Sequence, residues 1–174
     1  MSISRFRARG VLRAVSHSAP PPFQAFLDEN RDVVWRYLVS TVGAGEAEDC
    51  FQETFISALR AYPRLRADSN LRAWVLTIAH RKAIDAHRGR ARRALPLAEI
   101  DALDARVANG PQGGEGELWR AVGELPPRQR SAVALRFIAD LAHRDIAHAI
   151  GCSEEAARRS LHEGLAKLRA QVAA

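Results

Sequence analysis

The stretch from Leu95 to Gly116 limits the possible folds more than any other part of the chain. It carries Pro96, Pro111 and four glycines (Gly110, Gly113, Gly114, Gly116) with little apolar content. That is the composition of a linker, because such a stretch can neither sustain a helix nor bury a face. The chain is therefore expected to fold as two units on either side of it. Before the linker, Phe23, Phe26, Leu27, Val34, Tyr37, Leu38 and Val42 recur at three- and four-residue steps, which predicts an amphipathic helix ending near Gly43 and Gly45. A second helix is predicted over Glu46 to Tyr62. Its acids gather in the opening turn, where the helix dipole favours them, Phe51, Phe55, Ile56 and Leu59 lie along one face, and Pro63 ends it. The polar run Arg64 to Asn70 contains the capping types Asp68, Ser69 and Asn70, so it reads as a loop feeding a third helix from Leu71 to Arg88 or a little beyond.

After the linker, Glu117 to Gly123, Pro127 to Ala139, Ala142 to Ile150 and Ser153 to about Val172 read as four helices, punctuated by Leu125-Pro126-Pro127, Asp140 and Gly151-Cys152. The fold class expected is all-α, with two small helical domains and a linker between them. The boundaries are a disordered basic leader over 1–22, a first domain over 23–94, the linker over 95–116 and a second domain over 117–174. The leader ends in Ala19-Pro20-Pro21-Pro22 and shows no apolar periodicity.

The second half holds the sharpest local signal. Ala142 to Leu168 forms two helical stretches joined at Gly151-Cys152, as a helix-turn-helix requires. Ile146, Ile150 and Cys152 would fill the angle, Gly151 can take a positive backbone angle, and Ser153 can cap the second helix. That helix carries Arg158, Arg159, His162 and Lys167, which in a major groove could reach base edges and phosphates. The bland reading of the same residues is a helical hairpin with solvated charges. In the first half, Arg81, Lys82, Arg88, Arg90, Arg92 and Arg93 crowd the end of a helix that also holds Trp74. Such a surface could offer stacking and phosphate contacts, or it could be a solvated face with a core tryptophan. Glu46, Glu48, Asp49 and Glu53 with Gln52 make one acidic helix, which either complements its own dipole or meets a basic protein partner.

Charge agrees with a polyanionic partner: Lys+Arg 26 against Asp+Glu 20 gives a formal net charge of +6 and a pI near 10.3. Cys50 and Cys152 fit no metal or disulfide spacing, which points to a reducing cytoplasm. Arginines interrupt every apolar stretch of the N-terminus, and no run approaches the ~18 apolar residues of a membrane span, so neither export nor membrane insertion is expected.

Taken together, these residues resemble a known family. Ala47-Glu48-Asp49 with Gln52-Glu53-Thr54-Phe55, and Leu71-Arg72-Ala73-Trp74 through Ile78-Ala79 to Ile84-Asp85 and Arg88, are similar to the second region of extracytoplasmic-function sigma factors. The fourth region of that family is matched by Leu125-Pro126, Arg130, Ala134-Leu135-Arg136-Phe137, Asp145-Ile146-Ala147, Ile150-Gly151, and Leu161-His162 with Leu165 and Leu168. The resemblance implies a protein without catalytic residues, cofactor or metal that directs RNA polymerase core enzyme to promoter DNA. It places Asp49, Gln52 and Glu53 against polymerase. It places Arg66, Asp68, Ser69, Asn70, Trp74, His80, Arg81 and Arg88 along the melted minus-ten element, and Ser153, Glu155, Arg158, Arg159 and His162 at the minus-thirty-five element. It also allows a free form with the domains folded together, and an anti-sigma factor as a partner.

The chain departs from the family pattern at several positions. Ala142 stands where a capping serine is usual, His143 where an aromatic residue is, and Arg81 where an asparagine is common. Glu155-Ala156-Ala157-Arg158-Arg159-Ser160 replaces the usual run in the reading helix, and Glu163-Gly164 replaces an arginine-alanine pair, so a promoter class of its own is expected. Other classes fit less well. The six histidines offer no H-E-x-x-H spacing for an enzyme. A metal sensor would need His143, His148, His162 and Cys152 to converge. A polymerase-independent helix-turn-helix regulator would use the first half for dimerisation alone.

Overall fold

A computed structural model describes residues 20–66, 68–93 and 114–172, and among these residues there is helix but no strand. Most of the leader and of the linker, including the whole of 95–113, lies outside the described residues. The elements are α1 (Phe23–Val42), α2 (Ala44–Ala61), a 3-10 turn (Tyr62–Arg64), α3 (Leu71–Arg93), α4 (Gly114–Glu124), α5 (Pro127–Phe137), α6 (His143–Ile150) and α7 (Glu154–Val172). Helix α3 runs past the expected Arg88, α4 begins three residues before the expected Glu117, and α5 stops short of Ala139. At that last point Asp140 turns the chain with φ 51°, and the Leu141 N–H reaches back to the Leu135 carbonyl at 3.2 Å.

Helices α1, α2 and α3 pack on one another as a three-helix unit. Its floor is aromatic: Phe26 is fully buried and meets Tyr62, Phe23, Trp74 and Phe55 at ring-centroid distances of 5.0, 5.6, 5.8 and 6.3 Å. Such rings bury large areas and favour tilted or edge contacts, which fixes the crossing of α1 over α3. The expected apolar face of α2 is narrower than its sequence suggests. Phe55 is buried and Phe51 half-buried, but Ile56 and Leu59 are 49% and 54% exposed, because the buried face is centred on Ala47, Thr54 and Ala58 with Phe55 at its edge, and Ile56 and Leu59 fall beyond that edge.

Helices α5, α6 and α7 form the second unit, with α4 laid against α5 and α7. Small residues let these helices approach closely: Ala132, Ala134, Ala147, Ala149 and Ala157 are all buried. At Gly164 a Cβ would meet Val133 Cγ2 at 3.0 Å. That closeness gives the departure from the family's alanine a physical reason: α7 packs too near α5 for a methyl group unless Val133 yields. The two units also touch, α3 against α6 and α1 against α5.

Candidate nucleic-acid interface

The turn between α6 and α7 is built as the sequence requires. Gly151 adopts the left-handed conformation (φ 75°, ψ 47°), and its N–H and that of Cys152 both donate to the Ala147 carbonyl at 2.9 and 3.0 Å. Only glycine takes this conformation without strain. Ser153 Oγ then accepts the Ala156 N–H at 3.2 Å and caps α7. By contrast, Ala142 at the start of α6 makes no side-chain cap, as expected from the missing serine, and Asp145 supplies an acid in the first turn instead. Ile146, Ala147, Ala157 and Leu161 are buried between the helices, while Ile150 and Cys152 are half-buried.

Glu155, Arg158, Arg159 and His162 are all exposed and, at 100° per residue, occupy an arc of about 100° on α7. Both arginines are held by acids one turn earlier: Arg158 to Glu154 at 2.6 Å and Arg159 to Glu155 at 3.3 Å. Exposed pairs of this kind are worth about 0.3–0.5 kcal/mol, so a phosphate or a guanine edge can displace them.

The basic run on α3 divides in two. Lys82 turns to Glu53 at 3.1 Å, while Arg90 pairs with Glu46 at 2.6 Å and donates to the Val42 carbonyl at 3.1 Å. These cations stitch α3 to α1 and α2. Arg81 and Arg88 instead remain exposed, Arg88 with only a loose 3.9 Å approach to Asp85. On the loop before α3, Arg66 forms a two-pronged pair with Asp68 (both bonds 3.1 Å), Asn70 Oδ1 caps the helix through the Ala73 N–H at 3.1 Å, and Ser69 is half-buried. Arg66, Asp68 and Asn70 are thus exposed at one end of α3.

Two residues expected along the strand are placed otherwise. Trp74 is half-buried and packs on Phe26 and Tyr62, which makes it part of the aromatic floor. His80 is only 6% exposed, and its Nδ1 lies 2.8 Å from the Tyr37 hydroxyl. Burial, followed by the charges of Arg81 and His87, pushes the His80 pKa down to about 4, so the ring is neutral at pH 7. Burial raises the Tyr37 hydroxyl out of the titrating range as well. The helical repeat brings position 80 to the α1-facing side of α3, which a count of basic neighbours does not reveal.

On α2, Asp49, Gln52 and Glu53 are exposed on one side. Gln52 donates to Glu48 at 2.9 Å, Glu53 holds Lys82, and Asp49 has no ion pair among the described residues. Ile56, expected on one apolar face with Phe51, Phe55 and Leu59, is exposed on this same side, and its spacing of three from Glu53 is the signal that puts it here. Among the described residues no three of His, Cys, Asp and Glu gather as a metal site, and no helix is long and apolar enough to cross a membrane.

Helical throughout its described residues, with a capped helix-turn-helix and separate acidic and basic faces, the chain has the architecture of a DNA-binding protein. Comparison with known proteins makes this specific. Residues 26–93 match the model for Sigma-70 region 2, and residues 115–168 match Sigma-70, region 4. The chain is 31% identical over 134 residues to a probable RNA polymerase sigma-C factor of Mycobacterium bovis, covering 74% of this chain and 71% of that one. It is 32% identical over 160 residues to the ECF RNA polymerase sigma factor SigD of Mycobacterium tuberculosis, covering 85% and 76%. In fold it is similar to the sigma factor RpoE of Bartonella quintana, solved with the anti-sigma factor NepR (TM-score 0.73, 21% identity, 86% of this chain and 96% of that one). It is also similar to CnrH, solved with the cytosolic domain of CnrY (TM-score 0.64, 22% identity, 86% of each chain). This chain belongs to the sigma-70 family, as an RNA polymerase sigma factor of the extracytoplasmic-function type.

Proposed function

We propose that the chain starts transcription through three separate surfaces. The α2 side bearing Asp49, Gln52, Glu53 and Ile56 docks on core polymerase. The Arg66–Asn70 loop with Arg81 and Arg88 holds the melted minus-ten strand, and Ser153, Glu155, Arg158, Arg159 and His162 read the minus-thirty-five duplex. Trp74 and His80 serve the strand surface from beneath, by fixing the position of α3. The functional units are 23–94 and 117–174, and linking them raises the effective concentration of the second grip once the first has closed. The observation that carries this reading is the segregation of charge. Asp49 and Gln52 lie exposed on α2, while Arg158, Arg159 and His162 lie exposed on α7 beyond a left-handed Gly151 turn. Exposed acids repel DNA, which supports a protein partner for that side.

On this reading the protein adds no chemistry of its own and works in the cytoplasm beside polymerase and promoter. An anti-sigma factor is proposed as a further partner, supported by the similar sigma factor RpoE, which was solved with an anti-sigma factor. The test is promoter binding with and without core polymerase, followed by mobility shift at fixed salt. Tight binding only in the presence of core supports the proposal. Equally tight binding by the protein alone favours a polymerase-independent regulator.

A further inference from the structure

Two side-chain bridges cross between the helical units. Asn70 Nδ2 donates to Asp145 Oδ2 at 3.2 Å, and Arg130 Nη1 donates to the Thr41 carbonyl at 3.0 Å. The second bridge borders a cavity of about 190 Å³, walled by Thr41 near the end of α1, by His80 and His87 of α3 and by Arg128, Arg130 and Ser131 of α5. None of the residues lining it is acidic. A cavity of this size has room for several waters or for one small ion.

The positive charge of this wall is unbalanced. Arg130 is half-buried, uses its two terminal nitrogens on the carbonyls of Thr41 and Leu125 (3.0 and 3.1 Å), and leaves Nε buried without a partner. Among the described residues no carboxylate pairs with Arg130, and the neighbouring Glu46 is held by Arg90 at 2.6 Å. Burial and the charge of Arg90 both work against the charge on Arg130. A buried guanidinium is usually balanced by an anion, because carbonyl dipoles replace only part of its lost hydration. The same wall carries the positive end of a helix. Helix α5 opens with Pro127 and has no side-chain cap, so its first N–H groups and its dipole stay available where Pro127 and Arg128 line the cavity. His87 adds a ring that can change its charge. Its Nε2 donates to the Thr41 carbonyl at 3.1 Å, which leaves Nδ1 to take up a proton when an anion arrives.

We propose that this cavity binds one small tetrahedral oxyanion, either inorganic phosphate or the terminal phosphate of a small ester, held between Arg128, Arg130 and His87 with the opening turn of α5 as a further donor. The site uses none of the residues assigned above to touch polymerase or DNA, so it stands or falls apart from that assignment. The charged groups that face His87 are Arg90 on its own helix, Glu46 of α2 and Arg130 of α5, with the neutral His80 two turns earlier. Burial, followed by the two arginines, lowers the His87 pKa against the smaller pull of Glu46, and a bound anion would raise it again.

The experiment titrates the full chain with inorganic phosphate by calorimetry, with sodium chloride holding the ionic strength constant so that general screening does not change. A saturable one-to-one site is expected, with a melting temperature that rises as the site fills. Arg128→Ala alters an exposed side chain and should weaken binding about tenfold, the effect of losing one charge-assisted hydrogen bond, while the anion-free chain melts as the parent does. Arg130→Gln should abolish binding; if that variant does not fold, the Arg128→Ala result decides. Sulfate keeps its charge from about pH 8 to about pH 6, so its binding should tighten over that range in the parent as His87 gains a proton, and should stay level in His87→Gln. Adenosine diphosphate binding tighter than phosphate assigns the site to a phosphate ester, and weaker binding assigns it to the free anion. Neither saturable heat nor a rise in melting temperature with any of the three probes, or binding that Arg128→Ala leaves unchanged, overturns the proposal.

Discussion

The two halves of this molecule solve the same problem with opposite materials. In α1–α3 the helices are spaced by rings: the aromatic pairs among the described residues all lie between Phe23 and Trp74. In α5–α7 they are drawn together by alanines and by Gly164. The consequence for function is direct. The ring-filled half draws residues of its contact helix inward, so Trp74 and His80 pack rather than project, and Lys82 and Arg90 stitch helices together. The small-residue half keeps packing to one edge of α7 and leaves Glu155, Arg158, Arg159 and His162 facing solvent. One helix is shared between stability and contact; the other is divided between them along its length.

The sharpest way to break this comparison is Phe26→Ala. Phe26 is fully buried among its ring neighbours, so truncation should cost about 3–5 kcal/mol and unfold the first half. Chemical denaturation measures the cost. Duplex binding by the second half should persist, and its loss would show that the halves fold as one.

The next effect is pH-dependent. His80 titrates near 4 in the folded chain and near 6.5 when unfolded. Between those values the unfolded chain binds the extra proton. The stability contributed by the neutral ring is therefore present above about pH 6.5 and lost as pH falls toward about 4, on the order of 3 kcal/mol. His87 is lowered too, chiefly by burial, and adds to the same slope. Denaturation midpoints at several pH values should show this slope in the parent and a shallower one in His80→Gln. An identical slope in the two would remove His80 as its source.

Arg158→Ala should weaken discrimination at the upstream element by about 1–3 kcal/mol if the guanidinium bridges a base edge, with little change in stability because its partner among the described residues is the exposed Glu154. Competition between promoter variants measures this, and unchanged preference takes Arg158 out of the reading set. The smallest effect is expected from Asp49→Ala with Gln52→Ala: a severalfold weaker grip on core polymerase and a reduced salt dependence. Duplex binding should be untouched, and full co-purification with core would sink the docking assignment.

The second half was nearly legible in its sequence because a single turn decides it. Gly151 and Ser153 each have one conformational use, and together they fix which side of α7 is free. The first half was legible as three helices, but not in the orientation of each. Ile56 and Leu59 repeat at helical spacing and look like core, yet Phe55 and Ala58 already fill the buried side of α2. His80 sits among arginines and looks like contact, yet it finds the Tyr37 hydroxyl 43 positions away, which no local pattern contains. The bridges between the halves, Asn70 to Asp145 and Arg130 to Thr41, span 75 and 89 positions and were illegible for the same reason.

The central claim is that this chain gives polymerase its promoters. Run-off transcription from a genomic promoter library, with core polymerase and with or without the protein at one salt concentration, tests it most directly. The account predicts start sites that appear only when the protein is present and that share an upstream and a downstream element. No dependent start sites, with duplex DNA still shifted by the protein alone, would contradict it.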